Sequence, residues 1–125
     1  MSVRRLGILQ WLGLIVGAGV WWAQHVVGFG ITQAECSSGG AGWGIGNDVW
    51  QIALLVASGL AILGAEAAAV AVFLRTRETS YAEDPPPLSR IQFFAIAAMV
   101  ANAIFFAIVV LDGLASIFGV VCRQG

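Results

Sequence analysis

The sequence predicts an all-α integral membrane protein with three transmembrane helices, a cytoplasmic N-terminus, an extracytoplasmic C-terminus and a single domain over residues 1–125. Three observations carry this. The 125 residues are 59% hydrophobic and only 10% charged, with a mean hydropathy of +0.89, whereas about a quarter of an ordinary soluble domain is charged. Three apolar stretches are each long enough to cross a bilayer, which takes about 20 residues of helix. The arginines collect on one side of those stretches.

Leu6 to Ala34 contains no Asp, Glu, Lys or Arg. Val49 to Leu74 contains one charge, Glu66, and Ile91 to Cys122 contains one, Asp112. These runs predict helices over about 6–31, 49–75 and 90–119. No face of them is polar enough to meet water, so a soluble bundle is excluded. The Arg4–Arg5 start fits a signal peptide, but the first run is too long and no A-x-A site follows it, so a retained helix is expected.

Arg4 and Arg5 precede the first helix, and Arg75, Arg77 and Arg90 border the loop between the second and third. Only Arg123 lies on the other side. This excess places the arginine side in the cytoplasm. Trp21, Trp22, Trp43 and Trp50 then fall near the outer boundary and Trp11 near the inner one, where indole rings find an apolar body and a wet N–H. With no lysine and a net charge of −1, the chain lacks the basic face that nucleic acid requires.

Two segments are expected outside. Thr32 to Asp48 is rich in glycine, permitting tight turns and close backbone approach, and reads either as a connector or as a loop moulded on a partner. The second is the tail from Cys122. Each carries one cysteine in an oxidising compartment, which predicts a Cys36–Cys122 disulfide; the alternative is two thiols facing partner subunits. On the inner side, Pro85 to Pro87 predict a stiff polyproline segment, and Ser89 is a candidate cap for the third helix. The acidic stretch before the prolines reads as a rigid connector, with docking as the alternative.

Close packing has to hold helices together in lipid. The first helix carries Gly13 and Gly17. The second carries a small residue every fourth position, at Ala53, Ala57, Ala61, Ala65 and Ala69, and is expected to contact more than one helix. The third carries Ala97 with Ala101 and Ala103 with Ala107.

Polar groups inside a membrane are costly and mark candidate sites. At 1.5 Å per residue, Glu66 lies about 13 Å above Arg75 and Asn102 about 18 Å above Arg90. They are therefore candidate hydrogen-bonded neighbours, with a proton-relay carboxylate as the sharper alternative. His25 and Asp112 lie about 30 Å along their helices and are a candidate polar pair at the outer interface, with Gln24 and Gln33 nearby. One histidine and two cysteines cannot supply the roughly four ligands of a structural zinc or iron–sulfur site. A membrane haem held by two histidines would need its second from a partner. No catalytic, metal or cofactor site is expected; a quinone pocket beside His25 and Trp22 is the alternative.

The stretch GLIVGAGVWWAQHVVGFGITQAEC resembles the first helix of small bacterial membrane proteins associated with caa3-type cytochrome c oxidases, through Gly17, Trp21, Gly28 and Cys36, with His25 or Gln24 in the polar place and Phe29 as the aromatic near the helix end. The proline usually found ahead of the tryptophan is missing, residues 18 to 20 being Ala, Gly and Val. The likeness covers about a quarter of the chain. It implies a supernumerary, non-catalytic subunit of a respiratory oxidase in the bacterial inner membrane, without a redox centre of its own. The expected partners are other membrane subunits and the lipid bilayer. Two other readings stay open: an anchor contributing to a quinone or haem site, and a transporter subunit with Glu66 on its path.

Overall fold

A computed structural model describes residues 2–37, 46–78, 86–119 and 122. It contains three helices, α1 (Val3–Cys36), α2 (Asn47–Thr76) and α3 (Leu88–Phe118). They are 34, 30 and 31 residues long, or about 51, 45 and 46 Å at 1.5 Å per residue. All three are long and apolar enough to cross a membrane, with mean hydropathies of 1.6, 2.0 and 2.6. A chain built this way is a multi-pass membrane protein. Each helix outlasts the roughly 30 Å hydrocarbon layer, so its ends reach the headgroups.

The helices form an antiparallel bundle in which every pair is in contact. Side-chain contacts fix the registers. Trp11 meets Phe94, Trp21 meets Phe105 and His25 meets Asp112, so α1 and α3 run parallel. Gly13 lies against Ala65 and Ala69, and Gly28 against Gln51, so α2 runs the other way. Arg4, Arg5, Arg75, Arg77 and Arg90 thereby share one end of the bundle, and the disulfide lies at the other.

The buried positions repeat at threes and fours: Leu6, Gln10, Gly13, Gly17, Gln24 and Gly28 on α1; Gln51, Ser58, Ile62, Ala65, Ala69, Val72 and Thr76 on α2; Ile91, Ala95, Ala98, Asn102, Val109 and Gly113 on α3. This is the seam of a coiled-coil-like bundle, in which a seven-residue repeat stays on one face. The four-residue alanine stripe on α2 does not stay there. Four residues advance about 400°, so the stripe drifts about 40° per step and about 160° between Ala53 and Ala69. Ala65 and Ala69 are buried, Ala61 is half-buried, and Ala53 and Ala57 face outward. The stripe is therefore divided between the inside of the bundle and the outer surface of α2.

The interior is more polar than the outside. Gln10, Gln24, Gln51, Ser58, Thr76, Gln92 and Asn102 are buried, while Leu60, Leu111, Trp22 and Phe118 are 64% exposed or more. Water would drive the opposite arrangement; lipid tails accept it, because an apolar surface costs nothing there and polar groups must find partners inside. An apolar cluster of Leu6, Val72, Ile91 and Ala95, flanked by Leu9, Phe73 and Leu88, closes the arginine end.

Two local expectations change. α1 runs through Thr32 to Cys36 instead of ending near residue 31, because Gln33, Ala34 and Glu35 favour helix and no proline or glycine follows Gly30 within it; the Thr32 hydroxyl donates back to the Gly28 carbonyl at 3.1 Å. α3 starts at Leu88 with Pro87 as its N-cap residue, at φ −98° and ψ −5°, without a side-chain cap bond. Ser89 is therefore inside the first turn, and Pro87 is not in a polyproline conformation. Proline suits a helix start, where no N–H is needed. Trp43, the glycine-rich residues 39–44, the acidic residues 83–84 and Arg123 lie outside the described residues.

Candidate functional site: the polar cleft at the disulfide end

A cleft of about 250 Å³ opens where the three helices approach the disulfide end. The seven-residue repeat places Gln10, Gly17 and Gln24 on one face of α1, so the last of these points into the bundle. Gln24 is 5% exposed, and its amide nitrogen donates to the Val109 carbonyl at 3.3 Å. Since a carbonyl can meet only the nitrogen, this contact also fixes the orientation of the amide. Its oxygen is buried without a partner among the described residues.

His25 follows one position later, about 100° around the helix, and so sits on the rim. Its Nδ1 lies 3.3 Å from Asp112 Oδ2. The expected pair is formed. With the imidazole 60% and the carboxylate 32% exposed, a pair of this kind contributes under about 1 kcal/mol. The Trp21 ring is in contact with both His25 and Phe105, with centroids 6.2 and 5.9 Å away. Trp22, the next residue, is exposed.

On the α2 side, Gln51 is the main tie to α1. Its amide nitrogen donates to the Gly28 carbonyl at 3.0 Å and the Thr32 hydroxyl at 3.2 Å, with Asn47 Oδ1 at 3.4 Å. An NH₂ group has two hydrogens, so the longest contact shares one. Gly28 makes this possible: a Cβ there would stand 3.1 Å from Gln51 Oε1. Beyond the cleft, Cys36 and Cys122 are joined by a disulfide with their Cα atoms 5.2 Å apart and 86 positions apart in sequence. It ties the end of α1 to the segment after α3, as expected.

The mid-bundle polar groups are arranged differently from the sequence expectation. Asn102, 1% exposed, donates from Nδ2 to the Gly13 carbonyl at 2.9 Å. It does not bond to Glu66. Its Oδ1 lies directly over Gly17, where a Cβ would collide with it. Gly13 and Gly17 thus do two things: Gly13 lets α2 approach, with Ala69 Cβ 3.2 Å from where its own Cβ would be, and Gly17 makes room for Asn102. Glu66 is half-buried, and its Oε2 is buried without a partner among the described residues.

Gln51, Asn47, Gln10, Gln92 and Thr76 escaped sequence reasoning, which took only ionisable groups, Asn102 and the polar neighbours of His25 as polar candidates. A signal was available: Gln10 and Gln24 are fourteen residues apart, as are Ala95 and Val109 around Asn102, all on one seven-residue repeat. Gln33, by contrast, is exposed.

The cleft's amides chiefly tie the helices together: Gln51 spends both amide hydrogens, and Gln24 spends one. What remains are the acceptors Gln24 Oε1 and the unused lone pairs of Asp112, and as donors the second Gln24 amide hydrogen and the Ser116 hydroxyl. Among the described residues no three His, Cys, Asp or Glu side chains come together as a metal site would require. Fold and cleft together define a polar-seamed three-helix membrane module. No family model matches the chain, and neither a curated protein nor a solved structure shows significant similarity to it.

Proposed function

We propose that the chain is a non-catalytic accessory subunit of a respiratory complex in the bacterial cytoplasmic membrane, a cytochrome c oxidase or its supercomplex, and that it stabilises the assembly. The observation that carries this reading is the outer face of α2. Ala53, Ala57, Gly64 and Ala71 all face outward, and at 100° per residue they fall within about 40° of one another. The bundle's own seam is already complete on the opposite side. A face that lets another helix approach closely is what membrane association requires, and lipid alone has no use for it. The resemblance of α1 to oxidase-associated proteins supports the choice of complex. The shared end of the five arginines supports a cytoplasmic N-terminus and an extracytoplasmic C-terminus.

Purifying the tagged chain from its native membranes in mild detergent tests this. Oxidase subunits and their haem absorbance are expected to travel with it; a chain that runs alone contradicts the proposal.

The quinone reading rests on the donors the cleft has left, the second Gln24 amide hydrogen and the Ser116 hydroxyl, and a quinone-free chain with normal assembly would end it. The transporter reading has one observation in its favour, the unpartnered Glu66 Oε2. Glu66→Gln with full assembly and normal proton translocation would end it.

A further inference from the structure

A second cavity, of about 440 Å³, lies between α1 and α3 at the arginine end. Its walls are of three kinds. Arg90 borders it and is itself exposed. Gln10 borders it and is only 4% exposed, and none of the described residues bonds to its side-chain amide. Trp11, Ile91 and Phe94 supply an apolar wall, with the Trp11 and Phe94 rings stacked 6.0 Å apart. Gly7 opens the space, since nothing lies within 4 Å of where its Cβ would be.

We propose that this cavity binds the phosphate headgroup of an anionic phospholipid. The guanidinium of Arg90 pairs with phosphate oxygens, as its fixed fork of donors favours. The Gln10 amide donates a further hydrogen bond from below, being unbonded among the described residues. The glycerol and first acyl carbons lie on Trp11 and Phe94. Arg4, Arg5, Arg75 and Arg77 share this end of the bundle and favour a negatively charged headgroup; Glu78 is the opposing charge among the described residues there, and Glu83 and Asp84 lie outside them. Basic pockets between helices at a membrane surface have the chemistry for such headgroups. The aromatic wall selects a lipid over a free anion, because inorganic phosphate gains nothing from it.

Binding of short-chain phosphatidylglycerol to the full chain in detergent, measured by native mass spectrometry or thermal shift, tests the proposal. Short-chain phosphatidylcholine and inorganic phosphate are the comparison ligands. The glycerol lipid is expected to bind at least tenfold more tightly than the choline lipid. Arg90→Gln, at an exposed position, and Gly7→Leu, which fills the cavity, are each expected to lose at least tenfold while keeping wild-type helix content. Equal binding of the two lipids, or unchanged binding in both variants, overturns the site. Inorganic phosphate binding as tightly as the glycerol lipid, and lost in Arg90→Gln, overturns the lipid assignment in favour of a free-anion site. Should Gly7→Leu not fold, the Arg90→Gln comparison decides alone.

Discussion

Gly17→Ala is predicted to destabilise the bundle, and the reason lies in one side chain. The new Cβ falls on Asn102 Oδ1 and comes within 3.4 Å of Phe105 Cδ2. Asn102 is 1% exposed, so it has no free space to rotate into. If it turns, it gives up the bond to the Gly13 carbonyl, which in a membrane protein is worth about 0.6 kcal/mol and at most about 1.7. If it stays, α1 and α3 separate, and overpacking of this kind costs about 1–3 kcal/mol. Alanine returns up to about 1 kcal/mol of helix propensity. The net expectation is a loss of up to about 2 kcal/mol, and a difference of about 1–3 kcal/mol from a glycine-to-alanine change that gains the propensity without the collision. Gly19→Ala is the control, because nothing lies within 4 Å of its Cβ; it is expected to be neutral or stabilising by up to about 1 kcal/mol. Reversible unfolding of both variants in detergent, titrated with dodecyl sulfate and followed by circular dichroism, measures the difference. Asn102→Ala made in the Gly17→Ala background should remove the collision and show a coupling of about 0.5–3 kcal/mol. Equal unfolding midpoints for Gly17→Ala and Gly19→Ala would refute the argument.

Other substitutions separate the remaining contacts. Gln51→Leu, made at the tie between α2 and α1, removes the interhelical bonds to the Gly28 carbonyl and the Thr32 hydroxyl while the carbonyl keeps the Thr32 donor, and is expected to cost about 0.5–1.5 kcal/mol by the same unfolding assay. His25→Ala removes a largely exposed pair and is expected to stay within about 1 kcal/mol of wild type; a larger loss in the isolated chain would contradict that estimate. Cys36→Ser opens a loop of 86 positions, a cross-link that in a water-soluble chain is worth about 4–5 kcal/mol. The effect on thermal melting should be smaller here, because the helices stay inserted in the membrane after the bundle separates, and reductant should reproduce it in the wild type.

Much of this architecture was legible in composition. The three spans, their approximate ends and the side occupied by the arginines follow from where charges are absent and where they return. The disulfide and the His25–Asp112 pair followed from topology, because each joins residues at the same depth on helices that must run parallel. The partnering of Asn102 did not follow. Depth alone makes Glu66 and Gly13 equally good neighbours for it, and only the bundle's rotation about each helix axis chooses between them. The glycines that make the contact possible were visible as small residues, but what they make room for was not. Small residues at every fourth position suggested that α2 contacts more than one helix. The seam repeats every seven residues, so the stripe starts on the outside at Ala53 and ends inside at Ala69. That drift is informative about function, because it leaves α2 with small residues on two sides, one of them used within this chain.

The outward face of α2 offers the most direct test of the proposed role. Ala53→Leu with Ala57→Leu adds bulk at two positions that already face outward, so the isolated bundle should unfold as the wild type does. The amount of this doubly substituted chain recovered with oxidase subunits from native membranes, relative to wild type, is the measurement. The account predicts normal bundle stability together with a loss of most of the co-purified complex. Full retention of the complex by the substituted chain, or no complex with the wild type, would contradict it.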